Sequence, residues 1–233
     1  MKDVIIACDF ANKEATLRFL RLFEGKKPYV KIGMELFYGE GPKLVEEIKH
    51  MGHPVFLDLK LHDIPNTVKK AMTNIAKLGV DMTNVHAAGS CAMMEAAQEG
   101  LLIGGGANAA LIAVTILTSI SAQTLHDELL VQQQLAETVM HYAQNAKQAG
   151  LSGVVCSPLE SLAVKAACGQ GFLTITPGIR YPDGELNDQA RITTPQKARA
   201  LQADYIVVGR PITASADPVA AYERIVTDFL QEG

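Results

Sequence analysis

The sequence predicts an α/β fold in which eight parallel strands close into a (β/α)8 TIM barrel. Eight short runs rich in β-branched and other apolar residues recur along the 233 residues. Most runs are continuously apolar, as parallel strands covered on both faces require. Segments with helical periodicity lie between them, and such barrels commonly hold about 250 residues in one domain. A doubly wound open sheet is the alternative that this pattern leaves open.

The predicted strands are the apolar runs themselves, taken in chain order. The first reads VIIAC and the last reads YIVV, and each is short and bounded by polar residues or glycine. The eight predicted strands cover residues 4–8, 29–32, 55–59, 82–86, 110–115, 154–156, 172–175 and 205–208.

Helices are predicted where apolar residues recur every three or four positions. Gly79, Gly150 and Gly233 follow predicted helix ends, where glycine adopts the left-handed cap at low cost. No linker, low-complexity segment or close repeat interrupts the alternation, so we expect one domain over residues 1–233. The predicted helices cover residues 14–23, 42–51, 68–78, 132–149 and 218–229.

The composition argues against several classes of function. The net charge is −4, so the chain lacks the basic field of a nucleic-acid-binding protein. The absence of tryptophan leaves few surfaces on which single-stranded bases could stack. The least charged stretch, residues 101–123, is interrupted by glycines and Asn108, so we expect no membrane span. The first apolar run is too short for a signal peptide, and we expect a cytoplasmic protein.

The cysteines show no C-x-x-C spacing, and several lie in apolar runs. We expect buried, reduced thiols, with disulfides or a zinc site as the alternatives. The four are Cys8, Cys91, Cys156 and Cys168.

Functional groups of a (β/α)8 barrel lie at the carboxyl ends of its strands and in the loops that follow. This rule selects a set of polar residues from the sequence alone. They are Asp9, Lys31, Asp58, Lys60, His62, Asp63, His86, Thr115, Thr118, Ser157, Thr176, Arg180 and Arg210.

The sharpest segment is residues 56–67, which reads FLDLKLHDIPNT. Asp58 and Lys60 are two residues apart on an extended chain, so both side chains point the same way. The carboxylate stabilises the protonated amine, which makes Lys60 a positioned proton donor. Asp63 lies beyond the strand, near a predicted helix start. The structural alternative is a partly buried ion pair with Asp63 as a helix cap.

Two further charged residues end predicted strands. Lys31 lies inside an apolar run, where a lysine is costly unless it is paired. It either extends to the rim of the barrel or bridges Asp58 and a substrate. Asp9 ends the first strand and either caps the following turn or contributes to the site.

The C-terminal third has the features of a phosphate site. The loops after strands seven and eight of such barrels often bind phosphate. Here they read TPGIR, which ends at Arg180, and VGRPIT, in which Gly209 lets the backbone approach an anion that Arg210 can clamp. Residues 181–193 have the composition of a mobile loop, and Gln189 on it could reach the phosphate; an ordinary solvated loop is the alternative.

The chain resembles the orotidine 5′-phosphate decarboxylase family along essentially its whole length. The resemblance is carried by the segments ACD, VKIG, DLKLHDIPNT, VTILTS, TPGIR and VGRPI, together with Gln189. D-x-K-x-x-D alone also occurs in related phosphate-binding barrels, whereas the combination is specific to this family.

The resemblance implies a homodimer that converts orotidine 5′-phosphate to UMP and CO2 in pyrimidine biosynthesis without a cofactor or metal. Lys60 would be the proton donor, Asp58 the carboxylate beside the leaving CO2, and Asp63 and Thr67 would reach into the partner's site. The other implied substrate-binding roles are Lys31 and Asp9 at the ribose, Thr118 at the pyrimidine edge, and Arg180, Gln189, Gly209 and Arg210 at the phosphate.

Two other functions stay open at this point. One is a sugar-phosphate lyase or decarboxylase on the same barrel, which would hold an enediolate through Mg²⁺. The other is a nucleotide-binding module without catalytic activity. Replacement of Lys60 separates the enzymes from the binding module, and metal dependence separates the two enzymes.

Overall fold

Eight parallel strands form a closed barrel in the computed structural model, which describes residues 2–181 and 193–231. Each strand pairs with its neighbour in sequence, and the first pairs with the last through Ile6 and Val208. This closure confirms the predicted TIM barrel and excludes the open sheet. The strands are β1 Asp3–Ala7, β2 Tyr29–Gly33, β3 Val55–Leu61, β4 Met82–His86, β5 Ala110–Val114, β6 Gly153–Val155, β7 Leu173–Thr176 and β8 Tyr205–Val208.

Helices cover the outside of the barrel, and all five predicted helices are present within a few residues of their expected bounds. Two 3₁₀ turns, Ala87–Gly89 and Pro158–Glu160, precede helices. The helices are α1 Lys13–Arg21, α2 Met34–Glu40, α3 Pro42–His50, α4 Pro65–Ala76, α5 Ser90–Ile103, α6 Ala122–Asp127, α7 Leu135–Gln148, α8 Ser161–Cys168, α9 Pro195–Ala200, α10 Arg210–Thr213 and α11 Pro218–Leu230.

Most buried apolar residues form an inner and an outer layer, and a small third cluster contains Ile116, Leu125 and Val139. Inside the barrel, Ile5, Phe56 and Ile112 belong to one buried cluster. Tyr29 and Tyr205 meet edge to face at the amino ends of their strands, with ring centroids 6.0 Å apart. The outer layer packs the opposite faces of the strands against the helices. The filled interior makes the barrel a packed core, and functional groups can gather at its mouth.

The end of β3 departs from a regular strand. Leu57 pairs with Thr83 and Leu61 pairs with Val85, so three residues of β3 lie opposite one residue of β4. Lys60, within this bulge, has a left-handed backbone with φ of 52°. The assumption that Asp58 and Lys60 lie on a regular extended chain was therefore wrong, although their side chains do converge.

Two expectations drawn from composition can be compared with the structure. Among residues 2–181 and 193–231, no helix is long and apolar enough to cross a membrane. The four cysteines are free thiols, and three of them are buried. Burial raises the pKa of the Cys8 thiol to about 12, so this thiol stays protonated near neutral pH.

Candidate active site

A cavity of about 470 Å³ opens at the carboxyl ends of the strands. This volume lies within the range of about 300–1,000 Å³ that is usual for small-molecule sites. Its charged residues come from both halves of the sequence and meet only because the barrel closes. Those among the described residues are Asp9, Lys31, Asp58, Lys60, Arg180 and Arg210.

Asp58 is the centre of the charged network at one side of the cavity. Its Oδ1 accepts hydrogen bonds from Lys60 Nζ at 2.7 Å and from Asn84 Nδ2 at 2.7 Å. Its Oδ2 lies 3.3 Å from Lys31 Nζ. Three donors therefore fix the orientation of one carboxylate, and two of them are amines that line the cavity.

Lys31 joins this network to β1. Its Nζ donates to Asp9 Oδ1 at 3.1 Å, so the amine lies between two carboxylates. Gly33 makes room for this pair, because a Cβ at that position would lie 3.1 Å from Lys31 Nζ. The structure thus favours the bridging role for Lys31 over simple extension to the rim. Asp9 does not cap α1, whose N-cap is Asn12.

The charges in this network stabilise one another. Burial works to raise the pKa of Asp58, but Lys31, Lys60 and their hydrogen-bonding partners outweigh it, and the pKa is lowered. Burial works to lower the pKa of Lys31, but Asp58 and Asp9 outweigh it, and the pKa is raised. Both groups are therefore charged at neutral pH.

The opposite side of the cavity carries the expected anion-binding groups. Arg180, Gly209 and Arg210 all line it. Gly178 also lines it with φ of 83°, a backbone conformation that favours glycine. Arg180 Nη1 donates to the carbonyl oxygen of Ile179 at 2.7 Å, which anchors one end of the guanidinium. Thus the two C-terminal loops bring arginines and a glycine backbone to one place.

Between the charged sides lies a mostly apolar wall with one hydroxyl. Ile116 and Leu117 line the cavity beside Thr118, and Val155 on the neighbouring strand β6 lines it too. Such a wall fits a flat, uncharged ring whose edge meets the Thr118 hydroxyl. The sequence singled out Thr118 but gave no reason to choose its apolar neighbours.

Asp63 and Thr67 do not line this cavity. Asp63 is exposed, and its Oδ1 accepts a hydrogen bond from the Ile64 N–H at 2.7 Å. It lines a separate shallow hollow together with His62 and Gly89. The N-cap of α4 is Ile64, so the helix-cap alternative for Asp63 was wrong. Thr67, in the first turn of α4, is also exposed.

Several predicted polar residues serve the fold rather than the cavity. The hydroxyls of Thr115 and Thr176 donate to backbone carbonyls of neighbouring strands. The Ser157 hydroxyl accepts from the Leu159 N–H at the start of a 3₁₀ turn. His86 is half-buried beside His62. Gln189 and most of the 181–193 loop lie outside the described residues.

Asn84 is the residue of this site that the sequence reasoning missed. It is fully buried behind Asp58 and contacts both Asp58 and the backbone of Lys60. One signal could have found it: Asn84 has the same strand parity as Met82, which belongs to the inner cluster of the barrel. A polar side chain at an inward position is costly without partners.

The described lining residues carry four cationic and two acidic side chains, an excess of two positive charges in a chain of net charge −4. The cavity therefore suits an anionic ligand. The excess lies with Arg180 and Arg210, because Lys31 and Lys60 are paired with Asp9 and Asp58, so an anionic group of a ligand fits beside the two arginines. Among the described residues, no group of three His, Cys, Asp or Glu side chains could hold a metal ion.

Comparisons with known proteins assign the chain to a family. Residues 2–225 match the model of the family described as "Orotidine 5'-phosphate decarboxylase / HUMPS family". A protein of Geobacillus thermodenitrificans named orotidine 5'-phosphate decarboxylase is 56% identical over 224 residues, 95% of this chain and 94% of that protein. One of the same name from Listeria monocytogenes is 54% identical over 231 residues, which cover 98% of this chain and 99% of that one.

A solved structure gives the same result in three dimensions. The crystal structure of orotidine 5'-phosphate decarboxylase from Lactobacillus acidophilus superimposes with a TM-score of 0.89 and is 42% identical in sequence. The match covers 99% of this chain and 100% of that one.

Proposed function

Because the chain belongs to the orotidine 5′-phosphate decarboxylase / HUMPS family, we propose that it converts orotidine 5′-phosphate to UMP and CO2 in pyrimidine biosynthesis, without a cofactor or metal. Its family relationship makes it a carboxy-lyase. The observation that carries the finer proposal is the pair formed by Lys60 Nζ and Asp58 Oδ1, 2.7 Å apart at the cavity wall.

The chemistry explains why this pair is suited to the reaction. When the bond between C6 and the carboxylate breaks, CO2 leaves and the electron pair stays on C6, in the plane of the ring. The π system of the pyrimidine cannot delocalise that pair, so the protein must stabilise it electrostatically. The ammonium of Lys60 does so, and its proton then forms the new C6–H bond. Water returns a proton to the amine.

Asp58 has two roles in this proposal. Its carboxylate holds the ammonium of Lys60 in place, and it lies beside the departing carboxylate of the substrate. Repulsion between the two carboxylates would be relieved as CO2 leaves. Lys31 holds the second oxygen of Asp58 and, with Asp9, would bind the ribose hydroxyls.

The remaining groups would bind the substrate away from the reacting carbon. Arg180, Gly209 and Arg210 would take the phosphate, with Gln189 closing over it, and Thr118 would take the edge of the pyrimidine. Binding energy from the phosphate can contribute to catalysis when it drives closure around the ring. This division matches the separation of charges on the two sides of the cavity.

We propose further that the active unit is a homodimer, in which Asp63 and Thr67 complete the site of the partner. Both are exposed and lie outside the cavity of their own chain. Ile64, between them, is 67% exposed, which leaves an apolar side chain for a partner to cover.

The decisive experiment uses the purified chain treated with EDTA. We expect it to consume orotidine 5′-phosphate and to release UMP and CO2 in equal amounts. Chromatography measures the UMP, and trapping of labelled CO2 measures the other product. The Lys60→Ala variant should bind UMP but lose turnover. Turnover only with Mg²⁺, or only of a ketohexulose phosphate, would favour the sugar-phosphate enzyme. Full turnover by Lys60→Ala would disprove the assigned proton donor.

The dimer is tested by mixing inactive variants. Lys60→Ala and Asp63→Ala subunits form mixed dimers with one intact site, so random exchange should restore roughly a quarter of wild-type activity. Lys60→Ala mixed with Asp58→Ala is the control, because both residues belong to the cavity of one chain and no intact site can form. Equal activity in the two mixtures, with exchange confirmed, would contradict shared sites.

A further inference from the structure

The bulge at the end of β3 gives Lys60 an unusual backbone. A non-glycine residue with positive φ is uncommon, and such strain persists only where the surroundings fix it. Asp58, Leu59 and Lys60 lie opposite the single residue Asn84 of β4. The ordinary ladder of strand hydrogen bonds is interrupted at this point, so another group must hold the backbone of Lys60.

The side chain of Asn84 fills that gap. Its Oδ1 accepts the N–H of Lys60 at 2.8 Å, and its Nδ2 donates to Asp58 Oδ1 at 2.7 Å. The orientation of the amide is fixed by its partners, because a backbone N–H only donates and a carboxylate only accepts. Asn84 is fully buried, so it does not touch a molecule in the cavity.

These contacts close a ring of hydrogen bonds. Lys60 contacts Asp58 through its amine and Asn84 through its backbone, and Asn84 returns to the same Oδ1 of Asp58. A shift of Asn84 would therefore move both ends of the Lys60–Asp58 pair. A charged residue in this position would repel either the amine or the carboxylate, whereas an amide satisfies both partners without a net charge.

We propose that Asn84 is a positioning residue for the reaction, which holds the backbone of Lys60 and the carboxylate of Asp58 in the geometry that delivers the proton to C6. This inference rests on the proposed function, since it assigns a role through Lys60. It concerns a residue outside the segments that suggested the function.

Asn84 also affects the charge on Asp58. The groups that face this carboxylate are Lys31 on β2, Lys60 on β3, and Asn84 and His86 on β4, with Asp9 behind Lys31. Loss of the Asn84 N–H removes one donor that favours the charged form, so the pKa of Asp58 should rise. Protonation of Asp58 would then impair the pair at a higher pH than in the wild type.

The test compares Asn84→Ala with Asn84→Asp and with a matched control, Thr83→Val. Thr83 is equally buried on the same strand, and its hydroxyl donates to the Leu57 carbonyl at 3.1 Å on the opposite face. Steady-state kinetics against pH, UMP affinity and thermal unfolding are measured for each. A second readout is exchange of the UMP C6 proton in D2O, which isolates the proton transfer at C6.

We expect Asn84→Ala to lower kcat about 10²-fold, the usual cost of a misplaced catalytic group. The exchange rate should fall by a similar factor, with little change in KM or UMP affinity. The acid limb of kcat/KM should move to higher pH, and further in Asn84→Asp, where two carboxylates adjoin. Thr83→Val should lose stability without a change in kcat per folded molecule or in the pH profile.

Other outcomes overturn the proposal. Wild-type kcat and an unchanged acid limb in Asn84→Ala would refute it, and equal losses in Asn84→Ala and Thr83→Val would assign Asn84 a merely structural role. If Asn84→Ala does not fold, the near-isosteric Asn84→Asp decides, and a wild-type profile there refutes it. Failure of the wild-type chain to decarboxylate its substrate would overturn the proposed function and this inference together.

Discussion

A lysine–aspartate network at the carboxyl ends of the strands can be compared with one at their amino ends, built from the same residue types. At the carboxyl ends of the strands, Lys60 and Lys31 hold Asp58 beside the cavity. At the amino ends, Lys165 donates to Asp204 at 2.6 Å and to the carbonyl of Gln170 at 2.9 Å. The side chain of Lys165 is 4% exposed, whereas that of Lys60 is 24% exposed and lines the cavity.

The difference lies in where the donors are directed. Asp204 Oδ2 also accepts from the N–H and hydroxyl of Thr174. The lower network, formed by Lys165, Gln170, Thr174 and Asp204, therefore joins α8, β7 and the segments that precede β7 and β8. The upper network, formed by Asp58, Lys60 and Lys31 at the carboxyl ends of the strands, leaves the amine of Lys60 at the cavity. A lysine–aspartate pair therefore stabilises the fold at the amino ends of the strands, whereas a pair of the same residue types is available for chemistry at the carboxyl ends. This division is expected for the two faces of a TIM barrel.

The largest effect is expected from a substitution that breaks the upper network. Lys60→Met should lower kcat about 10⁴-fold or more, because it removes both the proton donor and the charge that stabilises the carbanion. Folding should be little affected, since Lys31 and Asn84 still contact Asp58. Activity assays measure the loss of kcat, and urea unfolding measures the stability of the variant. A loss of stability comparable to that of the lower network would remove the contrast between the two ends.

The matched substitution at the other end should have the opposite signature. Lys165→Met leaves Asp204 without its cation, and breaking such a buried pair costs about 3 kcal/mol of unfolding free energy. The value of kcat per folded molecule should be unchanged, because Lys165 does not line the cavity. Urea unfolding with active-site titration by UMP measures both quantities. A variant of wild-type stability would show that this pair contributes nothing to the fold.

The strands and their order were predictable because a parallel strand buried on both faces leaves a continuous apolar run. The helices were less so. In α5 small and apolar residues occur on several faces of the helix, so its sequence shows no clear helical period. The helix α10 has four residues, which are too few to show a period. A single domain over residues 1–233 and a cytoplasmic location stay predictions.

The charged residues of the site were predictable because burying a charge at the end of an apolar strand costs free energy unless the charge is paired or binds a ligand. Their geometry was not. The bulge at Lys60 arises from pairing between β3 and β4, which sequence spacing does not encode. Asn84 escaped notice because its role depends on that bulge. The residue-by-residue roles at the site stay proposals until the variants are measured.

A smaller effect should follow from crowding the upper network without removing any charge. Gly33→Ala places a methyl group 3.1 Å from Lys31 Nζ, and the backbone of Gly33, with φ of −88°, accepts alanine. A displacement of a few tenths of an ångström in Lys31 should lower kcat/KM about tenfold. Gly39→Ala is the control, because nothing lies within 4 Å of the added Cβ. Equal kinetics in the two variants would show that the Lys31–Asp9 contact tolerates displacement.

The smallest expected effect is a change in how stability depends on pH, caused by a histidine at the amino ends of the strands. His53 is buried at the amino end of β3, where its Nδ1 contacts the Pro28 carbonyl at 2.9 Å. Burial lowers its pKa, so the unfolded chain binds more protons than the folded chain as the pH falls below about 6.5. The stability that neutral His53 contributes is therefore present above that pH and is lost below it.

His53→Gln should flatten the fall in unfolding free energy between about pH 7 and 5, while half-buried His86, whose pKa is also lowered, maintains part of it. The pH profile of kcat should not move, because His53 lies at the end of the barrel opposite the cavity. His50→Gln, on the exposed face of α3, is the matched control and should keep the wild-type slope. Urea unfolding at several pH values measures the slope; an unchanged slope in His53→Gln would place the acid sensitivity of the fold elsewhere.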